Sequence, residues 1–200
     1  MIKREKPWAV RAAVGLLVTI VPAVAQNTFT FNMVVAAGAK ACLPNATATV
    51  KITPVGAVDV MDVFVSGLPA RTDFDFFVIQ VPKTPFGIAW YQGDIQTDGT
   101  GHGHGQFIGR FSIETFSVAI GSAPAPVVFN NGPFPDASLN PPFNPIQMYH
   151  LGLWFNNPNA AREIGCSANV TPFNGDHNAG IQVLNTSNFA DDQGPLRNVQ

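Results

Sequence analysis

Short runs in which every second residue is apolar dominate this chain, and that pattern leaves strands as the main building element. Phe29, Phe31, Met33 and Val35 alternate with Thr28, Thr30 and Asn32, and Ala48, Val50 and Ile52 alternate with Thr47, Thr49 and Lys51. This two-residue period marks a strand with one buried face. Val58, Val60, Val63 and Val65 continue the series, and the slip between Val60 and Val63 predicts a bulge near Met61 and Asp62. Phe74, Phe76 and Val78 come next. Here Phe77 and Ile79 on the opposite face are apolar too, which suits a central strand or a sheet face that is also covered. Gln106–Phe111, Ile113–Ala119, Ile146–Phe155 and Gly180–Leu184 complete the predicted strands. No stretch longer than about ten residues has the apolar spacing of a helix. Short strands at regular intervals, with Gly, Pro and Asn between them, predict a sandwich or a barrel.

The first 25 residues read as an address rather than as part of the fold. Lys3, Arg4, Lys6 and Arg11 give a positive start, Ala12 to Val24 are largely apolar, and Ala23-Val24-Ala25 supplies a small-x-small cleavage pattern. The expectation is a signal peptide over residues 1–25 and a mature single domain over residues 26–200, beginning at Gln26, secreted or periplasmic. Removing that segment leaves 7 basic and 12 acidic residues. A net negative domain with scattered Lys and Arg argues against nucleic acid or an anionic membrane surface as partner. Only Glu114 and Glu163 remain as glutamates, a composition that favours strands and loops over long helices. No apolar stretch after residue 25 reads as a transmembrane segment.

Cys42 and Cys166 are the two cysteines. In an oxidising compartment an isolated pair reads most simply as one disulfide. It would close a loop of about 125 residues, worth roughly 4–5 kcal/mol in the chain-entropy account. Neither cysteine has a second ligand at metal-site spacing. A bridge from Cys42 to another chain is the remaining option.

Ser66-Gly67-Leu68-Pro69-Ala70-Arg71-Thr72-Asp73-Phe74 lies between two predicted strands. It resembles the strand–corner–strand segment of fibronectin type III and other immunoglobulin-like sandwiches. The proline stands one place early, and Phe74 occupies the position of the family's Tyr, so the hydroxyl bond back to the corner is absent. The resemblance implies an immunoglobulin-like β-sandwich. Gly121 to Pro145 differs in kind, with seven prolines in 25 residues. Proline removes ladder donors, so this stretch is expected to be a long surface loop of the same domain.

Two clusters are candidates for chemistry. Asp98-Gly99-Thr100-Gly101-His102-Gly103-His104-Gly105 reads as a glycine-rich tip, and His-x-His in an extended segment puts two imidazoles on one face. With His150 and His177 they form a candidate transition-metal set, suited to zinc or copper. Two solvated histidines at a flexible tip are the alternative. The second cluster is aromatic: Trp90 and Tyr91 precede Gln92 and Asp94, and Trp154 precedes two asparagines. Rings beside amides and carboxylates form a carbohydrate platform, so Trp90, Tyr91, Asp94 and Trp154 are the candidate ligand-binding residues. The alternation of Leu151, Leu153 and Phe155 around Trp154 equally fits a buried strand.

Standard catalytic signatures are missing: no Gly-x-Ser-x-Gly elbow, no phosphate-binding Gly-x-x-x-x-Gly-Lys and no His-Glu-x-x-His occur. Asp94, Asp98, Glu114 and Asp176 are available carboxylates, but no spacing singles out the pair a glycosidase needs. Trp90-Tyr91-Gln92-Gly93-Asp94, Gly109-Arg110-Phe111-Ser112-Ile113-Glu114-Thr115-Phe116, Met148-Tyr149-His150-Leu151-Gly152-Leu153-Trp154-Phe155 and Thr171-Pro172-Phe173-Asn174-Gly175-Asp176-His177 resemble a family of exported bacterial proteins without assigned function. That resemblance spans roughly Gly67 to Leu196 and implies location and a single domain, with no activity attached. The leading expectation is a secreted, non-catalytic binding or envelope-associated protein that recognises a glycan or a protein. The alternative is a metal-binding protein or metal-dependent enzyme built on the histidines.

Overall fold

The computed structural model describes residues 27–117, 146–172 and 174–199. The expected signal peptide and the proline-rich stretch 121–145 lie outside them. Ten strands run in chain order: β1 (Phe29–Val35), β2 (Thr47–Val55), β3 (Val58–Ser66), β4 (Asp73–Ile79), β5 (Ala89–Gln96), β6 (Gly103–Gly109), β7 (Phe116–Ser117), β8 (Ile146–Gln147), β9 (His150–Phe155) and β10 (Gln182–Asn185). Eight of them form one antiparallel sheet in the order β5-β4-β9-β10-β1-β2-β3-β6, and the short β7 and β8 pair separately. The all-β expectation therefore holds. Among the described residues one short α-helix, α1 (Pro158–Glu163), interrupts it. Asn157 caps that helix, accepting the Ala160 N–H at 3.0 Å, and proline takes the first turn, where its missing donor costs nothing. Six residues are too few to show a helical period, which is why the sequence pattern passes over it. Among the described residues no helix is long and apolar enough to cross a membrane.

The sheet divides into two four-stranded halves joined through β1. Residues Phe29 to Met33 of β1 pair with β2, and Val34 and Val35 pair with β10. The outer strands β5 and β6 then approach each other and nearly close a barrel. Thr97 and Gly103 form a bridge between their ends. The Phe107 ring of β6 lies over Gly93 of β5 and stacks on Phe76 of β4 with centroids 5.2 Å apart. A Cβ at Gly93 would meet that ring at 2.8 Å, and its φ of 151° independently suits glycine. The enclosed core comprises Met33, Val50, Ile52, Met61, Val63, Phe74, Phe76, Leu151, Leu153 and Phe155, each at most 3% exposed.

The predicted bulge in β3 does not exist. β3 pairs with β2 residue for residue from Val58 to Ser66. The inward residues are Asp59, Met61, Val63 and Val65, whereas Val58 and Val60 face outward. The buried Asp59 sits at an inward position because its Oδ2 accepts the Phe111 N–H at 2.8 Å. That satisfied carboxylate, mistaken for an outward residue, produced the apparent slip. Register shifts fall elsewhere, at Val183 in β10 and in β5, where Phe76 stands opposite Gly93 and Phe77 opposite Tyr91, so Gln92 is one residue too many.

The corner after β3 is built as its composition suggests. Gly67 has φ 69°, and a Cβ there would collide with the Asn45 carbonyl. The hydroxyl that Phe74 lacks comes from Thr97, whose Oγ1 donates to the Pro69 carbonyl at 2.6 Å and accepts the Thr72 N–H at 2.9 Å. Cys42 and Cys166 form the disulfide, their Cα atoms 5.3 Å apart. It ties the β1–β2 connection to the segment after α1, and so links the two halves.

Candidate functional site

The bulge at Gln92 positions a polar site on the outer face of β4 and β5. Without it, Tyr91 and Asp94, three residues apart, would point to opposite faces. With it, Tyr91 stands opposite Phe77 and Asp94 opposite Asp75, all on one face. The Tyr91 hydroxyl donates to Asp94 Oδ1 at 2.5 Å. Asp75, only 1% exposed, stands directly across from Asp94 on the neighbouring strand. Asn174 Nδ2 donates to Asp75 Oδ2 at 3.1 Å from the other side. Asn174 also organises its own loop, accepting the N–H groups of Asn178 and Ala179 on Oδ1 at 2.9 and 3.1 Å and donating to the Asn156 carbonyl at 3.0 Å. Asp75, Tyr91, Asp94, Asn156 and Asn174, with Gly175 and Asp176, line an open cavity of about 180 Å³. Wider clefts of about 270 and 630 Å³ elsewhere each hold a single charged residue, Lys83 and Lys40.

Electrostatics set this site apart. Burial first, and then the charge of Asp94, raise the Asp75 carboxyl to about 6, against the partial relief of the Asn174 hydrogen bond. Burial and the Asp94 carboxylate likewise raise the Tyr91 phenol. Among the described residues no lysine or arginine lines the cavity. The ring of Tyr91 is 48% exposed and rests edge-on against Phe77, whose ring in turn meets Trp154 with centroids 5.2 Å apart.

Of the four predicted ligand-binding residues, Tyr91 and Asp94 lie in the site. Trp154 does not: it is fully buried, in a small second core with Phe77, Ile79 and Ala179, and no ligand can stack on it. It supports Phe77, and through it Tyr91. Trp90 falls on the inner side of the bulge, packs against the main core and donates its indole N–H to Gln92 Oε1 at 3.0 Å. Asp75, Asn156 and Asn174 were not singled out from the sequence. The signal for Asp75 is present: an acid in an otherwise apolar strand, Phe74-Asp75-Phe76-Phe77-Val78-Ile79, whose two faces are both buried.

The histidines do not converge. His150 is fully buried, with Nδ1 2.8 Å from Thr186 Oγ1 and Nε2 3.1 Å from the Asp191 carbonyl. Burial lowers its pKa, so it is a neutral core histidine with both nitrogens engaged. His102 meets Thr100 at 2.9 Å within the tip, where Asp98 accepts from Thr100 and from the His102 N–H. His104, on β6, contacts Asp62 at 2.9 Å and stacks on Phe64. His177 is exposed on the loop beyond Asp176, at φ 55°. Among the described residues no three His, Cys, Asp or Glu side chains are grouped to hold a metal ion. The four-histidine zinc or copper set is therefore corrected: tertiary packing buries His150 in the core and leaves the other three on separate surface segments.

Compared with known proteins, the chain matches no family model and no curated sequence.

Proposed function

We propose that this is an exported, non-catalytic binding protein whose pocket beneath Tyr91 holds a hydroxyl-rich group, such as the end of a glycan. The observation that carries the reading is the half-exposed Tyr91 ring beside three carboxyls and two amides in one cavity. A ring face for C–H stacking next to dense donors and acceptors is what a sugar requires. At about 180 Å³ the cavity falls below the roughly 300–1,000 Å³ of pockets for drug-sized ligands, and so suits one end group. Calorimetric titration of the mature, oxidised protein with monosaccharides and short oligosaccharides tests the proposal. Binding by one sugar class, abolished in Tyr91→Ala and kept in Trp90→Ala, is expected; no heat from any sugar overturns it.

Export is proposed on the charge, apolar and cleavage pattern of residues 1–25, and the disulfide fits an oxidising compartment. Intact mass of protein recovered outside the cytoplasm should place the start at Gln26; a retained Met1–Ala25 segment overturns this. For the architecture we favour two facing half-sheets that share β1, an immunoglobulin-like sandwich in outline. The corner at Gly67 and the two four-stranded halves support it. The strand order is its own, since the first half runs β1-β2-β3-β6 where an immunoglobulin domain runs first-second-fifth-fourth. The likeness to exported bacterial proteins is likewise kept as a proposal, resting on the segments quoted above.

A further inference from the structure

We propose that Asp75 and Asp94 share one proton, and that this proton locks the Tyr91 ring in place over the pocket. As regulation of ligand binding the idea rests on the reading above; as a lock on Tyr91 it stands alone. The backbone register sets the two residues directly opposite each other on adjacent strands, and both carboxyls line the same cavity. Two facing carboxylates repel when both are charged, and one proton held between them is the simplest remedy. Among the described residues no lysine or arginine lines the cavity to neutralise the pair. From β4, Asp73 faces the pair and adds negative charge; from β5 come Tyr91 and Asp94; from the end of β9, Asn156; and from the 174–179 loop, Asn174 and Asp176. The elevated Asp75 value agrees with this arrangement.

The two partners differ in their freedom, and that difference gives the lock its direction. Asp75 is buried and held by Asn174, a hydrogen bond that strengthens when the carboxyl is charged. Asp94 is exposed. When the proton leaves, Asp94 is the partner able to swing into water. Its Oδ1 is the acceptor of the Tyr91 hydroxyl, so the ring loses its anchor at the same time. Low pH therefore presents a fixed aromatic platform, and higher pH a loosened one.

The experiment needs no ligand. Carbon-13 spectra of the tyrosine rings, with Tyr91 assigned through Tyr149→Phe, are followed from pH 4.5 to 8.5 alongside the aspartate carboxyls. The Tyr91 ring signal should shift with the Asp75 carboxyl, at one inflection near pH 6. Asp75→Asn places an amide where the protonated acid stood. It can donate to Asp94 and still accept from Asn174, so the Tyr91 signal should stay at its acid position throughout. Asp94→Asn should move the Asp75 inflection to lower pH, since the repelling charge is gone. A Tyr91 signal that does not change between pH 5 and 8, or an inflection that survives in Asp75→Asn, overturns the proposal. Sugar titrations run at pH 5 separate the two readings. An intact inflection without sugar binding removes the glycan reading and leaves the lock supported.

Discussion

The two halves of the sheet use their outer faces in opposite ways. In β2 and β3 buried and accessible residues alternate, so one face meets the core and the other meets water. In β9 every residue is buried, and in β4 all but Asp73. The outer face of the second half is roofed by a small core of Phe77, Ile79, Trp154 and Ala179, with Phe86 and Ala89 packed against it. Of the two outer faces, only that of the roofed half sets polar side chains against buried rings, and the Asp75 cavity lies there. The outer face of the first half carries Phe64, 47% exposed, and His104 against Asp62, all in contact with solvent. A strand covered on one side builds a scaffold; a strand covered on both sides can also shift a carboxyl's titration.

The disulfide holds these unlike halves to each other, so breaking it is the most severe test. Replacing Cys42 and Cys166 together by Ser should cost roughly 4–5 kcal/mol if chain entropy governs a loop closed over a separation of 124 residues. Urea unfolding of the oxidised and double-variant proteins measures it, and a loss under about 1 kcal/mol would mean that the halves hold together without the bridge. Next in size is the roof. Trp154→Ala should cost about 3–5 kcal/mol, as truncation of a fully buried aromatic does. Phe64→Ala on the bare face should cost under about 1 kcal/mol. Near-equal losses would erase the distinction between the halves.

The same contrast decides what the sequence discloses. One-faced strands announce themselves by period, which is why β1, β2 and the inner residues of β4 are legible from Phe29, Val50 and Phe76 onward. The doubly buried character of β4 is also legible, from Phe77 and Ile79. The site is not, because its parts come from separate stretches of chain. Asp75 looks like an outward polar residue until Asn174, 99 positions away, closes over it. Tyr91 and Asp94 look like residues of opposite faces until the bulge at Gln92 turns one of them. Trp154 and His150 carry the residue types of a platform and a metal ligand, but chemistry at the surface depends on exposure, and both are buried. The Cys42–Cys166 bridge was readable because a sequence with two cysteines leaves few choices.

Asp75→Asn probes the roofed half with a predictable sign. The unfolded carboxyl titrates near 3.8 and the folded one near 6. Between those values the native state binds more protons than the unfolded one, so stability falls as pH rises. The contribution is fully present below about pH 3.8 and lost once pH passes about 6. Two units correspond to on the order of 2–3 kcal/mol. The Asn variant should therefore match wild type at pH 4 and exceed it at pH 8 by up to that amount. Thermal or urea unfolding at the two pH values is the check. An Asn variant that is less stable than wild type at pH 8 would show that Asp75 is held by a charge partner outside the cavity.

The smallest effect belongs to the bare face, and its smallness is the point. His104→Ala removes a contact to Asp62 at 2.9 Å, where the histidine side chain is 46% exposed. Water competes for both groups, and Asp62 keeps the Gln106 amide at 2.9 Å, the larger cause of its lowered pKa. An exposed pair of this kind is worth about 0.2–1 kcal/mol. The stacked Phe64 ring loses one neighbour and becomes more exposed, which adds little because it already meets solvent. Unfolding of His104→Ala should thus differ from wild type by less than about 1 kcal/mol at neutral pH. Zinc or copper content of the purified protein should be unchanged, since His104 shares no cluster with the other histidines. A loss above about 2 kcal/mol would mean that this face is covered in solution, and the contrast between a bare and a roofed half would have to be withdrawn.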